Sequence, residues 1–253
     1  MIEDPLPDPR LPAIEGGWAL RTFDLGNVLH DGGPEGDGGA GSSIRLWVPA
    51  DPDRLLDDEA VQERNRANDS MPYWAWLWDS APTMGHALRQ RKIRGRVLEV
   101  GAGLGFNGIV AATQTGEALE LTLSDHDPLS LAALRANADL NQLRTARVWD
   151  LDWNRLEMAP PESFDVILGC DVIYEAQGHR ALLATCRRFL GDEGRVFLAD
   201  PGRSRVPELV GRAQDEGWHV TIEDADGLEA EPEVGAFRVI VLTRGAARDR
   251  SEP

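Results

Sequence analysis

Val97-Leu98-Glu99-Val100-Gly101-Ala102-Gly103-Leu104-Gly105 is an apolar strand that runs straight into glycines at alternate positions. An α/β protein ends a strand this way when a ligand must lie against bare backbone, because glycine has no Cβ and accepts left-handed torsions. The spacing narrows the ligand. A dinucleotide fingerprint needs its third glycine at position 106, where Phe106 stands, and no Gly-Lys-Ser/Thr follows to cradle a phosphate. NAD and ATP are poor candidates.

On either side of this stretch the chain organises itself. From Gly95 onward, strands and helices alternate, with strand patterns at Arg96 to Val100, Leu119 to Ser124, Ala146 to Trp149, Phe164 to Cys170, Arg195 to Ala199, Trp218 to Glu223 and Phe237 to Leu242. Only the acidic connection Asp224 to Gly235 separates the last two, too short for a crossover helix, so they should pair antiparallel. The expected fold is a doubly wound α/β sheet of seven strands, mostly parallel, with an antiparallel last strand.

Upstream, Trp18 to Leu29 and Ile44 to Val48 read as a β-hairpin, and Asp51 to Arg66 as a surface helix over the site. The glycine-rich stretch between the two strands, residues 31–43, has too little apolar surface to order itself and reads as a flexible loop. The expected division is an N-terminal extension over residues 1–70, a main domain over 71–244 and a polar tail over 245–253.

Composition bounds the function. In 253 residues, no apolar run approaches the roughly 20 needed to cross a bilayer, and the first five residues are acidic where a secretory signal is basic. A cytoplasmic protein with no membrane partner is expected. Cys170 and Cys186 sit in apolar surroundings at no zinc-ligand spacing, which points to buried thiols and no metal. The formal charge of −17 argues against a nucleic-acid partner, since phosphate binding needs basic patches. A chain with Lys92 as its only lysine also carries such a charge as a compositional bias of its host.

In a doubly wound sheet, ligands bind beyond the carboxyl ends of the strands, near the point where strand order reverses. Asp125 stands some 20 residues past the last glycine, where an acid hydrogen-bonds ribose hydroxyls. His126 follows as a backbone contact or exposed side chain. Asp127, ahead of Pro128, is better placed to cap the next helix. After the third strand, Asp152 and Trp153 offer an acceptor and a flat ring for an adenine, with Asp150 as the alternative register. After the fourth, Asp171 and Tyr174 occupy the strand end that faces a second substrate.

An acid two residues before Gly-x-Gly-x-Gly resembles motif I of the class I S-adenosylmethionine-dependent methyltransferases. More specifically, Met71 to Ala81, Val97 to Gly105, Leu151-Asp152-Trp153 and Gly169 to Tyr174 resemble methyltransferase family 16, which includes protein-lysine methyltransferases and bacterial relatives labelled as nicotinamide methyltransferases. The resemblance covers most of Ile44 to Arg244. Asp200-Pro201-Gly202-Arg203 is similar to the branch containing the electron-transfer-flavoprotein β-subunit lysine methyltransferase, whereas Gly169 to Tyr174 looks more like the chaperone-lysine methyltransferase branch.

The resemblance implies S-adenosyl-L-methionine as cofactor. It puts Gly101, Gly103, Gly105 and Glu99 near the cofactor's methionine part, with Trp78 and Cys170 against the cofactor. The family's Asp-x-x-Tyr motif falls on Asp171 and Tyr174, which it implies as catalytic. The implied partner is a lysine-bearing protein; a small amine is the alternative acceptor.

Overall fold

Runs of Val, Leu and Ile that are apolar on both faces can be buried only in a sheet covered by helices on both sides. The computed structural model shows that arrangement; it describes residues 6–25, 43–68, 71–91, 93–114 and 119–245. Strands β1 (Trp18–Asp24) and β2 (Ser43–Pro49) form an antiparallel hairpin. Helices α1 (Glu59–Asn68) and α2 (Ser80–Gln90) lead into β3 (Gly95–Val100), α3 (Phe106–Gln114), β4 (Leu119–Asp125), α4 (Pro128–Leu140) and β5 (Arg147–Asp150). The second half runs β6 (Phe164–Cys170), α5 (His179–Phe189), β7 (Leu190–Asp200), α6 (Val206–Asp215), β8 (Trp218–Glu223) and β9 (Arg238–Arg244).

The seven-stranded sheet has the order β5-β4-β3-β6-β7-β9-β8, with β9 antiparallel to both neighbours. The antiparallel last strand is as expected; it is inserted beside β7 and leaves β8 at the edge. Strand order reverses between β3 and β6, so the loops after these two strands flank one crevice.

Three sequence expectations need correction. The first strand ends at Asp24, opposite Ser43, and Leu25 is already outside it, buried in the core. The helix read over Asp51 to Arg66 is two pieces, a 3₁₀ turn at Pro52–Asp57 and then α1, because the Asp58 carboxylate accepts from the amides of Ala60 and Val61 and restarts the helix there. The strand read from Arg195 starts at Leu190, which pairs with Phe164 across an irregularity in register. The glycine-rich stretch, apart from Ser43, and the tail after Gly245 lie outside the described residues.

The hairpin is tied into the main core. Ile44 and Leu46 are fully buried and pack in one cluster with Leu104, Phe106 and Leu134. Each such side chain contributes about 1.5–3 kcal/mol by leaving water. Asn137 of α4, itself buried, bridges them: its Oδ1 accepts from Trp47 N, and its Nδ2 donates to the carbonyls of Trp47 and Leu104. Among the described residues, no helix is long and apolar enough to cross a membrane.

Candidate active site

The loop after β3 turns on three glycines with left-handed torsions, φ 61° at Gly101, 56° at Gly103 and 81° at Gly105. Space matters as much as torsion. A Cβ on Gly101 would lie 2.9 Å from Val172 Cγ1 and 3.3 Å from the Trp153 indole, and one on Gly103 would press on the Trp74 backbone. Gly105 faces the other way: its Cβ would meet Leu134 and Ile109, so this glycine serves helix packing and does not line the cavity.

That cavity, about 350 Å³, lies at the crevice and is bounded by Gly101 and Gly103, by Asp125 at the end of β4 and His126 beyond it, by Asp152 and Trp153 after β5, and by Cys170 at the end of β6 with Asp171 and Tyr174 beyond it. Its size is that of a small-molecule site. Trp78 and Glu99 also line it. Nine of the expected side chains and the backbone of two expected glycines thus surround one space, with Gly105 outside it. Asp150 is exposed and outside the cavity, whereas Asp152 lines it. Trp149 is half-buried against the core, packed edge-on against Phe164 and tilted against Phe189.

Asp125 is buried and accepts three backbone amides: Gly103 N on Oδ2 at 2.9 Å, and His126 N and Asp127 N on Oδ1. Its Oδ2 keeps a lone pair for one more donor. Asp127 caps α4 by accepting from Leu129 N, as its place before Pro128 predicts. The His126 side chain is exposed. Asp152 spends Oδ1 on Asn154 N and stands beside Arg155.

Glu99 is buried beneath the glycine loop, where Oε2 accepts from Gly108 N in the first turn of α3. Burial pushes its pKa up to about 8, reinforced by the Asp125 charge and opposed by the amides of Gly108 and Asn107. The shift favours the neutral acid at pH 7. Asn107, also buried and on the cavity wall, has an Oδ1 with no hydrogen-bond partner in the protein.

Asp171 adopts φ 58°, a left-handed torsion that asparagine and aspartate tolerate better than other side chains but that still costs energy. Both carboxylate oxygens are engaged. Oδ1 accepts Arg203 Nε at 2.9 Å and Arg203 Nη2, while Oδ2 accepts Ser80 Oγ at 2.8 Å. Cys170 donates weakly to the same serine, and burial pushes its thiol up to about 12. Burial likewise raises the Tyr174 phenol to about 12. Tyr73, Trp78 and Tyr174 stay 38–40 % exposed and form a rim, with Tyr73 edge-on to both of the others.

Sequence reading missed Asn107 and Tyr73 as wall residues, and Ser80 as the buried donor behind Asp171. Ser80 and Tyr73 lie inside the tryptophan-rich segment, and Asn107 directly follows the Phe106 that broke the dinucleotide pattern. The lysine methyltransferase family model matches residues 69–209, more than half of the chain. The chain belongs to the lysine methyltransferase family. The match spans α2 to the start of α6 and therefore takes in every cavity residue named above.

Among relatives of this family member, EEF1A lysine methyltransferase 3 of Mus musculus is 33% identical over 135 residues, covering 51% of this chain and 56% of that one. The electron transfer flavoprotein beta subunit lysine methyltransferase of Xenopus laevis is 30% identical over 140 residues, covering 53% and 54%. The chain thus spans little more than half the length of these relatives. In fold it resembles a TehB-like SAM-dependent methyltransferase from Corynebacterium glutamicum, with TM-score 0.53 and 19% identity over 74% of this chain and 97% of that one.

Proposed function

We propose that the protein is an S-adenosylmethionine-dependent N-methyltransferase whose acceptor is a lysine side chain of a protein. The observation that carries this reading is the single cavity in which a bare glycine backbone and two strand-end acids, Asp125 and Asp152, stand opposite Asp171, Tyr174 and an aromatic rim. Family membership and the lysine methyltransferases among its relatives point the same way.

The residues present fit the cofactor. The unpartnered, buried Asn107 Oδ1 needs a donor, which a cofactor ammonium supplies. The space that a Cβ on Gly101 would fill stays open between Val172 and Trp153. In this reading Asp125 Oδ2 takes a ribose hydroxyl, Asp152 and Trp153 hold the adenine, with His126 beside it, and Gly101, Gly103 and Glu99 border the methionine part. Trp78 and Cys170 close the wall toward the methyl group. Bound there, S-adenosylmethionine supplies an electrophilic methyl on a sulfonium.

The chain's own residues orient the acceptor. In-line displacement needs a free amine lone pair aimed at the methyl carbon. A lysine of pKa about 10.4 must first lose a proton, at a cost near pH 7 of about 4–5 kcal/mol. Tyr174 as a neutral phenol and the remaining lone pair on Asp171 Oδ2 can hold the amine N–H groups, while the rim of Tyr73, Trp78 and Tyr174 surrounds the aliphatic stem and excludes water. The free thiols Cys170 and Cys186 suit a reducing compartment, and we assign the reaction to the cytoplasm.

The test is incubation of host lysate with the protein and methyl-labelled cofactor. Label on a lysine of a discrete protein is the expected result. Counts confined to the small-molecule fraction would replace the protein acceptor with a small amine, and no transfer at all would remove the activity.

A further inference from the structure

Asp171 poses a chemical problem for the reading above. An uncompensated carboxylate at the acceptor end stabilises a lysine as ammonium, the form that cannot react. The residue that compensates it is Arg203, from the loop after β7. Its guanidinium reaches Asp171 Oδ1 through Nε and Nη2 and passes over the Trp78 ring at 6.0 Å.

Arg203 is built into place. Its backbone N–H donates to Asp200 Oδ1, as does that of Gly202. Gly202 adopts φ 95° against the backbone of Ala236, where a Cβ would come within 2.3 Å of Ala236 N. The Asp200 side chain is fully buried, and its Oδ2 has no hydrogen-bond partner, with Arg203 Nε the nearest cation at 3.9 Å. Two guanidinium N–H groups converge on the one oxygen, and the arginine stays charged at every working pH.

We propose that Arg203 sets the protonation state of the acceptor amine, cancelling the Asp171 charge so that the incoming group sheds a proton to solvent before its nitrogen bonds to carbon. This rests on the methyltransferase reading. It assigns Arg203 as a positioning residue that acts through Asp171. The charged and titratable groups at this end of the cavity include Glu175 and Tyr73, both beside Tyr174. Asp171 follows β6, and Asp200 ends β7 with its pKa raised by burial. Cys170 and Tyr174 are neutral near pH 7, and burial favours the neutral form of Glu99, with the Asp125 carboxylate beyond. Arg203 is the cation among them that touches Asp171.

The field at this point can be measured without the acceptor. S-adenosylhomocysteine is neutral where the methyl would be, whereas sinefungin carries a primary amine there, so the ratio of their dissociation constants reports how well the site accepts an ammonium. Calorimetry near pH 7 on the full chain should give R203Q a ratio shifted toward sinefungin by about 10-fold, one pKa unit of field. D171N should shift it the other way, and R203K should stay within about 3-fold of the unmodified protein.

Opposite signs for the two partners of one ion pair separate an electrostatic role from loss of structure, which moves both alike. Shifts of the same sign, or no shift with S-adenosylhomocysteine still bound, overturn the role of Arg203 and leave the cofactor reading standing. Failure of the unmodified protein to bind either analogue overturns the cofactor reading and the proposal with it.

Discussion

At the residue scale, Glu99 makes the pH dependence of stability specific. Its carboxyl ionises near 4.5 in the unfolded chain and is held up to about 8 when folded, chiefly by burial. Between those values the folded state binds more protons than the unfolded one, so this group's contribution is fully present below pH 4.5 and fades as pH rises toward 8. The thermal midpoint should therefore fall from pH 5 to 8, and less steeply in Glu99→Gln; an unchanged slope in that variant would show that Glu99 is ionised throughout. For Asp125→Ala, S-adenosylhomocysteine affinity measured by calorimetry should drop at least about 10-fold, because hydrogen bonds to a charged group contribute about 1.5–3 kcal/mol each and the Gly103 amide also loses its anchor. That Asp125 lines the cavity could be read from sequence because it ends a strand, whereas after β5 the strand-end position left Asp152 and Asp150 as alternatives. The pairing of Asp171 with Arg203 and Ser80 could not be read, because its partners are 32 and 91 residues distant and meet only through the order of the sheet.

At the element scale, the hairpin and the glycine loop share one fastener, Asn137. Removing its amide leaves the Trp47 N–H and the carbonyls of Trp47 and Leu104 buried without that partner. At about 1–3 kcal/mol for each buried polar group left unsatisfied, with partial relaxation, Asn137→Ala should cost about 2–4 kcal/mol. Urea unfolding measures it, and a loss under about 1 kcal/mol would mean that the hairpin docks through its apolar side chains alone. We propose that the extension is therefore a structural part of the catalytic unit. Alternation revealed the second strand of the hairpin but not its attachment, because an asparagine inside a helix carries no periodic signal. The split of the predicted Asp51 to Arg66 helix was similarly hidden, since Asp58 is one of several acids there and only its contact with the Ala60 and Val61 amides marks it as the cap.

At the scale of the whole molecule, the order β4-β3-β6-β7 divides the labour of the crevice: Asp125 and the glycine loop lie on one side of the switch, and Asp171, Tyr174 and Arg203 on the other. The two sides should fail separately, so Asp171→Ala should abolish turnover while S-adenosylhomocysteine affinity stays within about 10-fold, a change of under about 1.4 kcal/mol. The formal charge of −17 acts over a longer range than any of these contacts. A protein acceptor that presents its lysine on a basic surface is drawn in by this field, and the attraction is screened over about 10 Å at 0.1 M salt. For such an acceptor, kcat/KM should fall several-fold as ionic strength rises from about 0.05 to 0.3 M, with kcat nearly constant, because steering acts on encounter and leaves the bound geometry alone. A neutral small amine is not steered and should show a flat profile. The salt dependence of kcat/KM thus reads the class of acceptor from the surface, independently of the residues that hold the amine.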